Sequence, residues 1–260
     1  MPRAREKGPW FWRGLIAIMV TGVFGLFAAA ALSSPPATIG DTACRLDRKD
    51  PAHTVVLIDQ SDPFSENDMA WVASLIEGEA RTLPRNGRLT VITPNSSDAH
   101  APRIVHSACS TGSPDRANPI LSNPRMVADT WRVNFIEPAM SDVDQALSNT
   151  QAPSSPLFES LYAIADRPDF QSGTKDRRLV IVSDLMQHSD DFSFYRTGAD
   201  FGAFTDASLN KQVPNFAGAE VVARIVPRPI YDLPMADVRA FWRAWFDEAN
   251  AEFGVVSGVG

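Results

Sequence analysis

The chain contains few of the residues from which catalytic and metal centres are usually built. Its 260 residues include two cysteines and four histidines, and the histidines are dispersed. No C-x-x-C pair and no Cys/His spacing of a zinc site occurs. The G-x-S-x-G, G-x-x-x-x-G-K-[ST] and G-x-G-x-x-G motifs are also absent. The sequence therefore gives no support to catalysis, and we expect the protein not to be an enzyme.

Acidic residues outnumber basic ones in this chain. The formal net charge is -7, and no stripe of basic residues interleaved with aromatic ones occurs. Proteins that bind nucleic acid need such a surface to neutralise phosphates. We therefore expect no nucleic-acid partner.

One long hydrophobic run lies near the amino terminus. Gly14–Leu32 carries no charge over 19 residues, which at ~1.5 Å per residue approaches a ~30 Å hydrocarbon core. Four basic residues precede the run, and the next 12 residues carry one charge: Arg3, Arg5, Lys7 and Arg13, then Asp41. The positive-inside rule predicts a single-pass protein of the inner (plasma) membrane, with a cytoplasmic amino terminus and a periplasmic or extracellular domain.

A cleaved signal peptide is the alternative to this anchor. The core Leu15–Phe27 is followed by Ala28–Ala31, which offers an A-x-A cleavage site. Both alternatives export the remainder of the chain.

Two strand-like apolar runs end at an acidic residue. Thr54–Ile58 continues directly into Asp59, and Leu179–Ser183 continues into Asp184. In an open parallel sheet, ligands bind outside the carboxyl ends of the strands, so residues distant in sequence can share one crevice. The two carboxylates are therefore expected at one site.

This arrangement resembles a von Willebrand factor A-like (VWA) domain over Thr54 to Phe253. The family's first motif, D-x-S-x-S, is matched by Asp59 and Ser61. Its third position is Pro63, which has no side-chain oxygen, and Ser65 is displaced by two residues. The metal-ion-dependent adhesion site that the family implies is therefore degenerate.

The other two family motifs are present with substitutions. Ser155 in Ser154–Leu161 stands where the family has a threonine before a helix, and Ser183-Asp184 matches S-D-G with Leu185 replacing glycine. The resemblance implies metal ligation by Asp59, Ser61, Ser155 and Asp184. Hard oxygen ligands with few carboxylates favour Mg²⁺, with Mn²⁺ or Ca²⁺ as alternatives.

The same residues fit other structures. Asp59 and Ser61 could cap the following helix, and Ser155 before Pro156 has the pattern of an N-cap. A haloacid-dehalogenase-like phosphatase also places an Asp after its first strand, but its D-x-D motif needs an acid where Ser61 stands. The site could also be a relic that holds no metal.

The predicted fold class is α/β. We expect a doubly wound, mostly parallel sheet with one antiparallel edge strand, VWA/Rossmann-like, preceded by a single transmembrane helix. The predicted divisions are a cytoplasmic terminus at 1–13, the transmembrane helix at 14–32, a linker at 33–52 and the VWA-like domain at 53–254.

Periodicity predicts the elements inside this domain. Further strands are expected at Arg88–Thr93, Arg103–Ala108 and Ala219–Val226, the second of them the antiparallel edge. Helices are expected from Pro63, over Met126–Leu147 with a break near Pro138, over Ser154–Ala165 and over Pro234–Phe253. Ser110–Arg125 is expected to be irregular, and Met186–Gln212 is expected to form a long polar loop at the functional rim.

Both cysteines follow the hydrophobic run. An oxidising compartment would allow Cys44 and Cys109 to pair. The family topology places both at the amino end of the first strand, which favours a disulfide over two free thiols.

These observations lead to one functional expectation and one alternative. The expectation is a membrane-anchored VWA-like module that binds a protein partner, with a divalent cation contacting an acidic residue of that partner. The alternative is a metal-independent structural scaffold of a membrane-associated assembly. The N-terminal helix would contact the membrane in both cases.

Overall fold

The computed structural model describes residues 8–32, 37–40, 42–47, 51–118, 122–148, 152–171, 174, 176–206, 213–226 and 233–257. The chain divides into two units, Met1–Ala37 and Thr38–Gly260. The first unit is a single helix, α1 (Pro9–Leu32), which contains the predicted span. This helix is long and apolar enough to cross a membrane, and signal sequences share these properties. The flanking Arg3, Arg5, Lys7 and Asp41 lie outside the described residues.

The second unit is built on a six-stranded sheet with the order β3-β2-β1-β4-β5-β6. All neighbouring strands are parallel except β2 and β3. The strands are β1 (Ala52–Ile58), β2 (Arg88–Thr93), β3 (Arg103–Cys109), β4 (Asp176–Ser183), β5 (Ala219–Ile225) and β6 (Glu252–Ser257). The predicted α/β class, the mostly parallel sheet and the antiparallel edge strand are confirmed.

Helices cover both faces of this sheet. They are α2 (Glu66–Thr82), α3 (Pro124–Trp131), α4 (Glu137–Leu147), α5 (Leu157–Ala165), α6 (Phe194–Thr197), α7 (Phe201–Asp206) and α8 (Met235–Glu248). Side chains of α2, α3 and α4 pack on one face, and those of α5 to α8 pack on the other. Because both faces are covered, successive β1 residues such as Val55 and Val56 are fully buried in opposite cores.

One predicted helix boundary is wrong. Pro63 does not open α2; the helix begins at Glu66, because Ser65 and Asp68 form a reciprocal capping box. The expected break near Pro138 is a π-helical turn, Arg132–Ile136, that joins α3 to α4. Pro138 then lies in the first turn of α4, where its missing N–H costs little.

The predicted closing helix is also too long. The helix α8 ends at Glu248, Asn250 takes a left-handed φ of 57°, and Glu252–Ser257 forms the edge strand β6. Phe253 lies in this strand, and its ring stacks on Phe246 of α8 with the ring centroids 4.6 Å apart. Phe253 continues the helical spacing of the apolar residues in α8, but it reaches the same core from the strand.

The segment after β4 was expected to be a polar loop, and its described part is not. Phe192, Phe194 and Phe204 are buried in the core around Phe158 and α8. This packing anchors the turns that follow Asp184. The rest of the predicted loop, 207–212, lies outside the described residues. In the expected irregular stretch, the described residues hold a 3₁₀ turn at Pro114–Arg116, and α3 begins at Pro124.

Cys44 and Cys109 form the expected disulfide, with Cα atoms 4.8 Å apart. The Cys109 amide donates to the Thr42 carbonyl at 2.7 Å, and Asn86 Nδ2 donates to the Ala43 carbonyl at 2.9 Å. Cys109 pairs with Arg88 at the start of β2, so the bridge lies at the amino end of the parallel strands. The chain therefore enters this unit at the end of the sheet opposite Asp59.

Removing the disulfide should lower stability. The bridge closes a loop with a sequence separation of 65, and chain entropy gives such a loop about 4 kcal/mol. The double variant Cys44→Ser/Cys109→Ser should melt about 10 °C below the wild type. Reductant should lower the melting temperature of the wild type toward that of the variant and leave the variant unchanged. Equal melting temperatures of oxidised wild type and variant would show that the bridge adds no stability.

Candidate functional site

The two predicted carboxylates lie at the same end of neighbouring strands. Ile58 of β1 pairs with Val182 of β4, and the Asp59 amide donates to the Val182 carbonyl at 2.9 Å. Asp59 and Asp184 are each 5% exposed. The parallel register therefore brings both acids, which are distant in sequence, to one rim.

Hydrogen bonds converge on the Asp59 carboxylate. Ser155 Oγ donates to Asp59 Oδ2 at 2.7 Å, and Ser183 Oγ donates to the same oxygen at 2.9 Å. The Ser61 amide donates to Asp59 Oδ1 at 3.1 Å. Ser183 Oγ is also 3.5 Å from Asp184 Oδ1. A single hydroxyl proton serves the shorter contact best, so Ser183 links the two acids while bonding mainly to Asp59.

The backbone after Asp184 turns sharply. The Met186 amide donates to Asp184 Oδ1 at 2.9 Å, and the Leu185 amide donates to Ser183 Oγ at 2.8 Å. Leu185 has a left-handed φ of 67°, a conformation that suits the glycine of the family motif better. Its carbonyl accepts a 2.9 Å bond from Trp242 Nε1, and its side chain is fully buried. Packing and this bond hold Leu185 in a strained conformation.

Ser155 reaches Asp59 because neighbouring backbone segments hold it there. Ser155 and His188 exchange two backbone hydrogen bonds, at 2.8 and 2.9 Å, and the Ala152 amide donates to the Gln60 carbonyl at 3.2 Å. The predicted N-cap role of Ser155 is wrong. Pro156 is the N-cap residue of α5 and makes no side-chain cap bond.

Gln187 satisfies the start of α5 instead. Its Oε1 accepts the Phe158 amide at 3.0 Å, and Gln187 is fully buried. The Phe158 amide therefore does not need the Ser155 oxygen as an acceptor. Gln187 was not predicted, because no local pattern marks it. Ser183 was not predicted as a site residue either, although a serine that ends an apolar strand beside an acid was an available signal.

Ser61, Pro63 and Ser65 occupy the remaining positions of the predicted first motif. Ser61 is half-buried, and its contact with Asp59 is made through its amide. Pro63 is exposed, and the Ser65 hydroxyl accepts the Asp68 amide at 3.2 Å as the N-cap of α2. Ser65 therefore does not replace the missing ligand. His188 lies near the rim, where its Nδ1 is 2.9 Å from Ser193 Oγ.

Burial leaves the charge of Asp59 poorly compensated. Desolvation is the main cause that raises the pKa of Asp59 to about 6, and the nearby charge of Asp184 raises it further. The hydrogen bonds from Ser155 and Ser183 act in the opposite direction. Among the described residues, no lysine or arginine forms an ion pair with Asp59. A cation at this rim would relieve the repulsion between the carboxylates.

The donor set has the chemistry of a magnesium site. Two carboxylates and serine oxygens are hard ligands, and Mg²⁺ commonly binds with one or two carboxylates and several waters. Within the described ranges, no group of three or more His, Cys, Asp or Glu residues is placed to hold a metal. An ion at this rim would therefore need hydroxyls and water as well as Asp59 and Asp184.

Comparison with known proteins gives only distant likenesses. No protein-family model and no curated protein matches the chain. The ArnB paralog VWA2 from Sulfolobus acidocaldarius gives a TM-score of 0.44 with 13% identity, covering 80% of this chain and 42% of that one. A von Willebrand factor type A structure from Catenulispora acidiphila gives 0.43 with 12% identity, covering 80% and 39%.

A third likeness is the pilus adhesin SpaC from Lactobacillus rhamnosus GG. Its TM-score is 0.42 with 10% identity, over 79% of this chain and 28% of that one. The chain spans between 28% and 42% of the length of these three structures. At these TM-scores the likeness carries no weight for fold or function, and the α/β assignment with its antiparallel edge strand rests on strand order and direction.

Replacing Asp59 should stabilise the metal-free protein at neutral pH. The folded-state pKa of about 6 exceeds the ordinary value of 3.8, so ionised Asp59 destabilises the fold above pH 6 and this penalty disappears below pH 3.8. In EDTA at pH 7.5, Asp59→Asn should raise the free energy of unfolding by about 1 to 3 kcal/mol. The gain over wild type should vanish near pH 4, as measured by urea unfolding.

A matched control is Asp247→Asn on the exposed side of α8, which should leave stability unchanged at both pH values. The comparison must be between variant and wild type at each pH, because burial also lowers the pKa of His53 to about 4. Acid destabilises the fold through His53 in both proteins. An Asp59→Asn variant less stable than the wild type at pH 7.5 would contradict the charge deficit.

Proposed function

We propose that the chain is a membrane-anchored, VWA-like protein-binding module whose binding site is the rim that holds Asp59 and Asp184. One observation carries this proposal. Two buried carboxylates from neighbouring strand ends are linked through Ser183, and Asp59 has no basic partner among the described residues. An uncompensated buried charge is costly, and it is retained where a ligand supplies the opposite charge.

The proposed ligand of this rim is a divalent cation, Mg²⁺ or alternatively Mn²⁺ or Ca²⁺, held by Asp59, Ser61, Ser155 and Asp184. Such an ion would supply a positive charge and an open coordination position for an acidic side chain of a protein partner. Hydrogen bonds within the chain orient the oxygen atoms that would hold the ion. Ser155 directs its proton at Asp59, which leaves the lone pairs of its hydroxyl oxygen available to a cation.

A metal-independent scaffold within a membrane-associated assembly is the second candidate. The specific observation that favours it is that Asp59 already accepts three hydrogen bonds, while Pro63 removes one family ligand. A carboxylate satisfied in this way can persist without an ion. The two candidates differ in whether the folded protein gains stability from a divalent cation.

A metal titration separates them. If the rim binds Mg²⁺ or Mn²⁺, an excess of 100 times Kd should stabilise the protein by about 2.7 kcal/mol, a rise of several degrees in melting temperature. Asp59→Ala and Asp184→Ala should each lose this rise relative to their own melting temperature in EDTA. The matched control Asp247→Ala should keep it.

The partner test uses the same variants. Capture of partners by the full chain should be lost in EDTA and in Asp59→Ala or Asp184→Ala, and retained by Asp247→Ala. Capture that persists in EDTA and in both rim variants would remove the metal from the mechanism and leave the scaffold.

The proposed location is the inner or plasma membrane, with the domain in the periplasm or outside the cell. The apolar helix α1 and the Cys44–Cys109 bridge support export to an oxidising compartment. In spheroplasts, external protease should digest the domain but spare an amino-terminal epitope tag, and the tag should stay on the full-length chain. Loss of the tag from the mature protein would show that the segment is a cleaved signal peptide.

A further inference from the structure

A groove of about 430 Å³ adjoins the carboxylate rim. It lies between the β2–β3 loop, the segment that leads into α5 and the turn after Asp184. Ser154 and Pro156, the two neighbours of Ser155, line it together with His188. The groove therefore lies beside the proposed binding site.

The walls of this groove carry one sign of charge. Three carboxylates line it, those of Glu159, Asp190 and Asp191, and no lysine or arginine does so among the described residues. The guanidinium of Arg196 is close in sequence, but it donates to the backbone carbonyls of Ser189 and Asp190. Hydroxyls and the rings of His100 and His188 make up much of the remaining polar lining.

Glu159 is the decisive member of this set. It is 1% exposed, yet it lies in the groove wall. Gln187 Nε2 donates to its Oε2 at 3.3 Å, and within the described part of the chain Oε1 has no hydrogen-bond partner. No cation of these residues pairs with it. Oε1 is not among the fully buried, unpaired side-chain atoms of the described residues, so water or a ligand in the groove can supply its donors.

The lining of this groove suits an organic cation. A guanidinium or ammonium group carries several N–H donors that match one buried carboxylate, two exposed carboxylates and nearby hydroxyl oxygens. A free cation of this kind in a protein partner is the side chain of arginine or lysine.

We propose that this groove binds a basic side chain, arginine or lysine, of the protein partner, with Glu159 as its buried counter-ion. The partner would then present a basic side chain to the groove beside the acidic side chain proposed for the rim. The presence of both side chains on one partner rests on the proposed function. The binding of a basic group to the groove does not, because it needs no metal.

The test uses the full chain in nanodiscs of phosphatidylcholine, which has no net charge to attract a cation. The probe is N-acetyl-arginine methylamide, and its control is the citrulline analogue, which has nearly the same shape without the charge. Binding is measured by saturation-transfer NMR in EDTA, with empty nanodiscs as the blank. The arginine probe should bind at least about tenfold more tightly than the citrulline probe.

Variants locate the site. Glu159→Gln keeps an acceptor for Gln187 and should weaken the arginine probe about tenfold. Asp190→Asn/Asp191→Asn changes only exposed residues and should weaken it as well. The matched control Asp247→Asn should bind like the wild type. A melting temperature of each variant within a few degrees of the wild type verifies that the fold is retained.

The outcomes are distinct from those of the metal titration. Equal binding of the two probes to the wild type, or undiminished arginine binding in both Glu159→Gln and Asp190→Asn/Asp191→Asn, would overturn the groove proposal. Arginine binding that persists in a protein that gains no stability from Mg²⁺ or Mn²⁺ supports the groove and rejects the metal site. Failure of the groove leaves the metal result unchanged.

Discussion

The buried carboxylate of Asp59 is the interaction on which the rim depends. It collects hydrogen bonds from three separate segments: the Ser61 turn, the Ser155 segment before α5 and the Ser183 end of β4. Each bond to a charged acceptor contributes about 1.5 to 3 kcal/mol, so together they oppose much of the cost of burial. The raised pKa of Asp59, about 6, shows that these bonds do not cancel the cost of burial. The rim is thus well ordered and short of positive charge, a combination suited to binding a cation without rearrangement.

Aromatic residues of the core hold the turns that form the rim. Phe158 of α5 lies 4.9 Å from Trp242 and 5.8 Å from Trp245 of α8, and Phe192 and Phe194 pack against the same helix. Trp242 also donates to the Leu185 carbonyl, directly after Asp184. The strained backbone at Leu185 is therefore held by the core. Gln187 joins the same turn to the start of α5, and so links the Asp184 turn to the segment that holds Ser155.

The sequence predicted what long apolar runs and strand order determine, and missed what individual side chains decide. The runs that lead into Asp59 and Asp184 were sufficient to place both acids at one rim, because parallel strands share a carboxyl end. The strand β6 was missed because Phe253 continues the helical spacing of α8 while it stacks on Phe246 from the sheet. The N-cap pattern of Ser155 was misleading because α5 begins at Leu157, so that Pro156 occupies the cap position and Ser155 lies one residue before it. The role of Gln187 depends on a turn that only the folded chain contains.

The length of the parallel strands separates the Cys44–Cys109 disulfide from the carboxylate rim. The disulfide lies at the amino end of the strands and Asp59 at the carboxyl end, with the seven residues of β1 between them. At ~3.3 Å per residue this places them roughly 20 Å apart. Changes at Cys44 can therefore alter stability without altering the charges at the rim. Changes at Glu159 act at the groove, and its bond to Gln187 is the direct route by which they reach Ser155 and Asp184. The conservative Glu159→Gln substitution keeps that bond, so it isolates the charge of the groove from the geometry of the rim.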